Sequence, residues 1–332
     1  MTETAPLSGV LVVDKPAGPT SFDVVNRLRR ALRAKKAGHA GTLDPAATGV
    51  LVVCLEEAVR LQQWLSDGDK AYRATIAFGA ATETEDAEGR VVAEGDPAGI
   101  TEEALRAALA GFVGALDQVP PMYSAVRVGG RRLHEAARAG QEVERAPRRV
   151  RIDSLELVSL EPWSPRPEPF DSGPVTRAAG RHAVVDVRCG KGTYVRTLAA
   201  DLGRALGVPA HLAALRRTMA SGFDLARAAP LAELEQLLRD GGPEALRPRL
   251  VPAAAALSMP EARVSLAEAG DLAHGRSIPA GPHEAGPVRA VDGEGRLVAV
   301  CDVSRGRLRP SRVFVTPAEL GPSPARGPAE VL

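Results

Sequence analysis

Residues 39–55 read HAGTLDPAATGVLVVCL. An unbroken apolar run from Val50 to Leu55 follows a bend holding two glycines, a proline and a single carboxylate. Such a run beside glycine reads as a buried strand, here residues 49–55. Asp44 then sits on a tight loop at the strand's entrance. Pro45 biases it toward extended backbone, and Gly41 and Gly49 let other backbone come close. Two readings fit. An Asp-Pro turn closes on itself through an Asx hydrogen bond. A carboxylate held rigid is also suited to attack an electrophile or hold a proton. Local sequence alone favours the turn.

Upstream, residues 9–13 (GVLVV) give a second short buried strand, closed by DKPAGP, where Pro16 and Pro19 forbid helix. Thr20 or Ser21 can cap a helix in which Val24, Val25, Leu28, Ala31 and Leu32 share one arc. Arg27, Arg29, Arg30 and Arg33 occupy the rest of its surface, continued by Lys35 and Lys36. Downstream, residues 57–65 suit a short helix. Residues 70–78 alternate with period two, so Tyr72, Ala74, Ile76 and Phe78 share a face. Residues 83–96 are acidic and read as a hairpin or loop, and 102–112 as a helix capped by Thr101. Gly129-Gly130 marks a hairpin turn and 133–138 a short helix. Residues 150–160 and 183–189 read as strands. Between them, 161–182 is rich in Pro, Gly and Arg and reads as a flexible insertion. Thr193 is placed to cap a helix with Val195, Leu198, Ala199, Leu202 and Leu206 on one stripe; residues 231–239 form another.

Composition shifts to Ala and Pro at 248–260. Residues 261–316 then carry short strands and glycine turns, a small β-rich domain, while 1–8 and 317–332 read as flexible ends. Strands with inserted helices and hairpins between neighbours predict an α+β fold with a mixed, mainly antiparallel sheet.

The 332 residues are 45% hydrophobic and 25% charged, enough for a packed core and against global disorder. Aromatics are only 3%, so each of the three Tyr asks for a reason. The three cysteines are far apart, with no C-x-x-C pair, so neither a disulfide framework nor a zinc knuckle is expected. No H-x-H or H-E-x-x-H spacing occurs among the six His, so no metal is expected. No apolar run approaches the roughly 20 residues of a membrane span. The N-terminus lacks a signal peptide's basic and apolar regions, so the expected compartment is the cytoplasm.

Net charge is +1, but arginines cluster at 27–36, 131–132, 145–151, 216–217 and 305–312 while acid collects in 83–96. Each cluster can be a solvated face; their segregation is what an RNA-sized ligand asks for. Gly190-Lys191-Gly192-Thr193 fails the nucleotide-triphosphate pattern, because Gly192 intervenes after the lysine; Lys191 can still meet a nucleic-acid phosphate. Arg196 is either a solvated helix arginine or the partner of a carboxylate from another loop. Tyr72 is either core or a platform for a base. A lone His such as His39 is more often structural.

Taken in order, GVLVVDKP (9–16), GHAGTLDPAATGVL (38–51), KAYR (70–73), KGTYVRTL (191–198) and LRRT (215–218) resemble the motifs of the TruB family, bacterial tRNA pseudouridine synthases acting on uridine-55 of the T loop. PPMYSAVRVGGRRLHEAARAG, within 120–150, resembles that family's RNA-gripping insertion.

The resemblance implies a pseudouridine synthase fold over residues 9–255, its sheet flanked by helices and crossed by a catalytic cleft. It implies a small PUA-like RNA-binding domain over 261–316. The reaction it implies breaks the glycosidic bond of a flipped uridine, turns the base and rejoins it through C5, without metal or cofactor. Asp44 matches the catalytic aspartate, Arg196 its arginine partner, and Tyr72 the tyrosine that stacks on the base and is a candidate for taking the C5 proton. His39 matches the histidine that holds the T loop open. Tyr194 and Leu215 match residues of the target pocket, and Lys15 and Pro16 a motif that buttresses the site. Lys191 and Arg216 are further expected RNA contacts. The expected partner is tRNA, bound by a monomer with no protein partner and no membrane.

Three rival readings predict different behaviour. A pure RNA binder would tolerate loss of the Asp44 carboxylate. A guide-RNA-dependent synthase like dyskerin usually carries long Lys-rich tails, which this sequence lacks. A small-molecule enzyme gives no reason for the basic clusters.

Overall fold

The computed structural model describes residues 7–320 except 125, 129, 139, 142 and 163–179. A ten-stranded sheet forms the frame. Eight of its strands run in the order Ala229–Pro230, Gly9–Lys15, Thr48–Leu55, Ala210–Ala220, Lys70–Phe78, Arg181–Cys189, Arg148–Pro162, Gly114–Gln118. Ala37–Ala40 pairs with Thr48–Leu55, and Phe223–Asp224 with Ala210–Ala220. Two pairings are parallel, Gly9–Lys15 with Ala229–Pro230 and Ala210–Ala220 with Thr48–Leu55; the others are antiparallel. This is the expected α+β architecture.

All eight residues of Thr48–Leu55 are buried, because the sheet is covered on both faces there. Leu51, Val53 and Leu55 pack with helix Ser21–Ala31 and helix Leu231–Gly241, while Val50, Val52 and Cys54 pack on the opposite side. Thr20 caps helix Ser21–Ala31 in a capping box with Asp23. A third cluster joins Tyr72, Ala74, Ile76 and Phe78 to Leu198, Ala199 and Leu202 of helix Val195–Leu206. Each fully buried leucine there contributes about 2 kcal/mol.

A second, five-stranded sheet follows in the order Glu261–Arg263, Pro287–Val291, Leu297–Ser304, Arg307–Val313, Ile278–Pro279, with helix Leu266–Ala273 against it. Val291, Leu297 and Val300 share an apolar cluster with Val10, Cys54 and Leu61, so the two sheets meet through a common core. Arg60 lies over the Phe314 ring and donates to the Val313 carbonyl across that junction.

Several expectations change. Of the expected flexible ends, residues 1–6 and 321–332 lie outside the described residues; inside them Leu7 is buried, and Leu320, in the 3-10 turn Pro317–Leu320, packs into the second core. Thr193 does not cap helix Val195–Leu206; its hydroxyl returns to the Gly190 carbonyl, and Tyr194 holds the cap position. Strand Arg148–Pro162 is longer than expected, and it and Arg181–Cys189 flank the expected insertion, most of which lies outside the described residues.

Candidate active site

The loop between Ala40 and Thr48 is fixed from below. Ser21, buried at the start of its helix, accepts from the Leu43 N–H at 2.9 Å and donates to the Leu43 carbonyl at 3.0 Å. The Gly18 N–H donates to the Pro45 carbonyl at 2.9 Å. Lys15 Nζ donates to the carbonyls of Pro16, Pro45 and Ala47 at 2.9, 3.0 and 2.7 Å. Burial pulls the Lys15 ammonium down to about 8, partly offset by the Asp44 charge. Arg217, with none of its surface exposed, donates to the carbonyls of Val50, Thr42 and Gly41 at 2.7, 3.3 and 3.0 Å. Gly49, at φ +100°, leaves space for this strand: a Cβ there would lie 2.2 Å from the Arg217 carbonyl oxygen. Gly49 therefore admits the protein's own Arg217 segment, the close backbone approach that its glycine allows.

Above the loop, the Asp44 carboxylate reaches an open cleft lined by Ala46, Asp86, Glu88, Arg196, Leu212 and Leu215. Arg196 Nε lies 3.2 Å from Asp44 Oδ2, and its Nη1 lies 3.1 Å from Asp86 Oδ2. The same guanidinium donates to the carbonyls of Thr84 at 3.3 Å and Tyr123 at 2.8 Å. One arginine thus bridges two carboxylates and three loops. The Asp44 side chain keeps 45% of its surface exposed against 15% for Asp86, so of the bridged pair Asp44 is the one a ligand can reach. The Arg196 helix is aimed by Gln118, which accepts from the Tyr194 N–H at 2.8 Å and donates to its carbonyl at 3.0 Å.

Asp86 is ordered by its own hairpin. Its Oδ1 accepts from Thr84 Oγ1 and the Glu88 N–H, and its carbonyl from Thr82 Oγ1. Glu88 faces the same cleft; burial first, then the Asp86 and Asp44 charges, push its carboxyl up.

The sequence-derived candidates divide. Asp44, Arg196 and Leu215 line the cleft. Tyr72 packs with Leu43 and Ala47 at its edge and is only 8% exposed; burial pushes its phenol up, against the pull of the Arg217 guanidinium. His39, on strand Ala37–Ala40, is half-buried, and burial followed by the Arg217 charge pulls its imidazole down. Its Nδ1 is buried without a hydrogen-bond partner. Tyr194 precedes the Arg196 helix. Lys15 works beneath the loop, and Pro16 is exposed while lending it a carbonyl.

Two expected RNA contacts lie outside the cleft lining and have carboxylate partners. Arg216 grips Asp14 with both nitrogens, at 2.7 and 3.1 Å. Lys191 pairs with Asp67 at 2.9 Å, outside the cleft lining. Of the cluster at 216–217, Arg217 is buried scaffolding, while Arg216 stays partly exposed. Asp86 and Gln118 were not singled out from sequence, and Ser21 and Arg217 only as a possible helix cap and as part of a basic cluster. Among the described residues, no group of three or more His, Cys, Asp or Glu side chains could hold a metal ion.

Family models match in succession. The TruB family pseudouridylate synthase N-terminal domain covers residues 29–195, the tRNA pseudouridylate synthase B C-terminal domain 196–258, and the tRNA pseudouridine synthase II C-terminal model 259–315. A tRNA pseudouridine synthase B of Symbiobacterium thermophilum is 51% identical over 81% of this chain and 82% of that protein. One of Thiobacillus denitrificans is 44% identical over 93% and 97%. Among solved structures, the Cbf5 chain of a Cbf5-Nop10-Gar1 complex superposes with a TM-score of 0.70 at 26% identity, over 94% of this chain and 86% of the other. An archaeal Nop10-Cbf5 complex gives 0.69 at 26%, over 97% and 91%. With the bridged aspartate pair and an uninterrupted run of matches from residue 29 to 315, this chain belongs to the TruB family of pseudouridylate synthases.

Proposed function

We propose that this protein isomerises uridine-55 in the T loop of tRNA to pseudouridine. The reading is supported most by one observation: Arg196 holds the exposed Asp44 carboxylate over an open cleft, with Asp86 fixing the other end of the guanidinium. The relatives named tRNA pseudouridine synthase B support tRNA as the substrate. Position 55 rests on the motif resemblance.

Substrate and product are isomers, so the chemistry conserves atoms and electrons and calls for no cofactor. The N1–C1′ bond breaks, the base turns, a C5–C1′ bond forms, and the C5 proton leaves while N1 gains one. Asp44 either attacks the sugar or removes its C2′ proton to give a glycal; both routes need a fixed carboxylate at the ribose. Arg196 sets its direction. The uridine is flipped out of its loop at a cost of a few kcal/mol, with Tyr72 and Leu215 receiving the base and Tyr194 completing the pocket. Tyr72 is the candidate acceptor for the C5 proton, and His39 holds the loop open. Lys15 and Pro16 buttress the catalytic loop. Residues 120–150 grip the RNA, 261–316 act as a PUA-like RNA-binding domain, and the enzyme works as a cytoplasmic monomer.

The test is tritium release from tRNA carrying C5-labelled uridine. About one equivalent per tRNA is expected, and none from a transcript with cytidine at position 55. Equal release from both transcripts would reject the assigned position.

A further inference from the structure

Helix Ser21–Ala31 has two unlike flanks. At roughly 100° per residue, Phe22, Asn26 and Arg29 fall on one side of its buried stripe and Arg27 on the other, while Arg33 follows the Leu32 cap in left-handed backbone (φ +52°), just past the helix end. Arg27 is committed: its guanidinium meets Glu235 of helix Leu231–Gly241 at 2.8 and 3.1 Å. Arg29 and Arg33 have no ion pair among the described residues. Phe22 is 66% exposed, the largest exposed apolar side chain among the described residues, in a chain with 3% aromatics. The sheet order tells which way this free flank faces. Helix Leu231–Gly241 follows the edge strand Ala229–Pro230, beyond Gly9–Lys15, whereas Ala37–Ala40 pairs on the other side of Thr48–Leu55. The flank away from Glu235 therefore lies toward His39 and the Asp44 loop. Ser21, next to Phe22, is itself bonded to Leu43.

We infer that the Phe22–Arg29–Arg33 flank is a second RNA contact surface, one that follows the substrate's backbone away from the cleft. Phe22 stacks an unpaired base beside the reacting nucleotide, and Arg29 and Arg33 meet successive phosphates about one helix length further on. The occupant is a polyanion because an exposed ring and an unpaired guanidinium share one flank and a second guanidinium follows just past the helix end; an acidic peptide would not use the ring as a base does. The inference rests on the proposed tRNA substrate.

The experiment measures binding of unmodified tRNA transcript by the full-length protein as a function of salt, separately from product formation. R29Q/R33Q should weaken binding about tenfold near 0.1 M salt and lower the slope of log K against log salt by about 1.5. Phe22→Ala should weaken binding roughly tenfold while leaving the slope within error. Arg27→Gln, on the other flank, should stay within about twofold, and urea midpoints confirm that each variant is folded. A double variant with the wild-type slope, or an Arg27→Gln effect equal to it, overturns the surface. A wild-type enzyme that binds tRNA but makes no pseudouridine overturns the proposed reaction instead, and the slopes still decide the flank.

Discussion

The two sides of the Asp44 loop use the same side chain in opposite ways. Above it, Arg196 bonds two carboxylates at the mouth of an open cleft. Below it, Arg217 is wholly buried and bonds carbonyls of Gly41, Thr42 and Val50. Lys15 does the same for Pro45 and Ala47. Buried charge satisfied by backbone fixes a loop's shape but cannot itself react. Charge held at a solvent boundary beside a second carboxylate can be redirected onto a substrate. The underside is therefore expected to govern stability and the upper side turnover.

The sharpest way to break this contrast is to remove the buried cation. Arg217→Met leaves three carbonyls without donors and should cost about 3–5 kcal/mol in urea unfolding. A loss below about 1 kcal/mol would mean that the loop holds its own shape. Next comes Gly49→Ala. With φ at +100° and a Cβ 2.2 Å from the Arg217 carbonyl oxygen, it should cost about 2–4 kcal/mol. Arg196→Ala is expected to reverse the pattern, losing about a hundredfold or more in turnover for about 1–2 kcal/mol of stability. If its stability loss matched that of Arg217→Met, the two sides would not differ.

The pH dependence sharpens the same division. Lys15 is lowered from 10.5 to about 8 by burial, so between those values the unfolded chain binds the proton that the folded chain has released. The Lys15 contribution to stability therefore rises from pH 8 to 10.5. Its amine meanwhile loses one of its three N–H donors, two of which hold carbonyls of the loop, so turnover should fall above about pH 8 without loss of fold. Rates and melting temperatures across pH 7–10 check this; a parallel decline of both would contradict it. Acid acts through a different place. Burial and the neighbouring His211 hold His182 down to about 4, so its contribution to stability is lost as pH falls from about 6.5 toward 4.

Much of this was legible from residue order. Unbroken apolar runs at 9–13 and 49–55 and the alternation at 70–78 announced central strands, because both faces of the sheet are covered at the first two and one face packs helices at the third. Ala210–Ala220 was not legible. AHLAALRRTMA is made of good helix formers, and only pairing with strands on both sides, with bulges on the Lys70–Phe78 side near Ala213 and Thr218, makes it a strand. That strand delivers Arg217, so its burial was hidden too: two adjacent arginines read as one of the basic clusters open to RNA. Asp86 was invisible for a related reason. It stands among acids at 83–88, and only the hairpin Ala80–Thr82 with Val91–Glu94 turns it toward Arg196. Asp44 and Arg196 could be paired in advance through motif resemblance, since their 152-residue separation carries no local signal.

The most direct test of the account is Asp44→Asn measured twice on one preparation. Arg196 keeps Asp86 and two carbonyls in that variant, so urea unfolding should shift by less than about 0.5 kcal/mol. Tritium release from tRNA should fall by about a thousandfold or more. A variant that turns over near the wild-type rate would contradict the assignment of Asp44 as the reacting group, and one that unfolds would contradict the division between the loop's two sides.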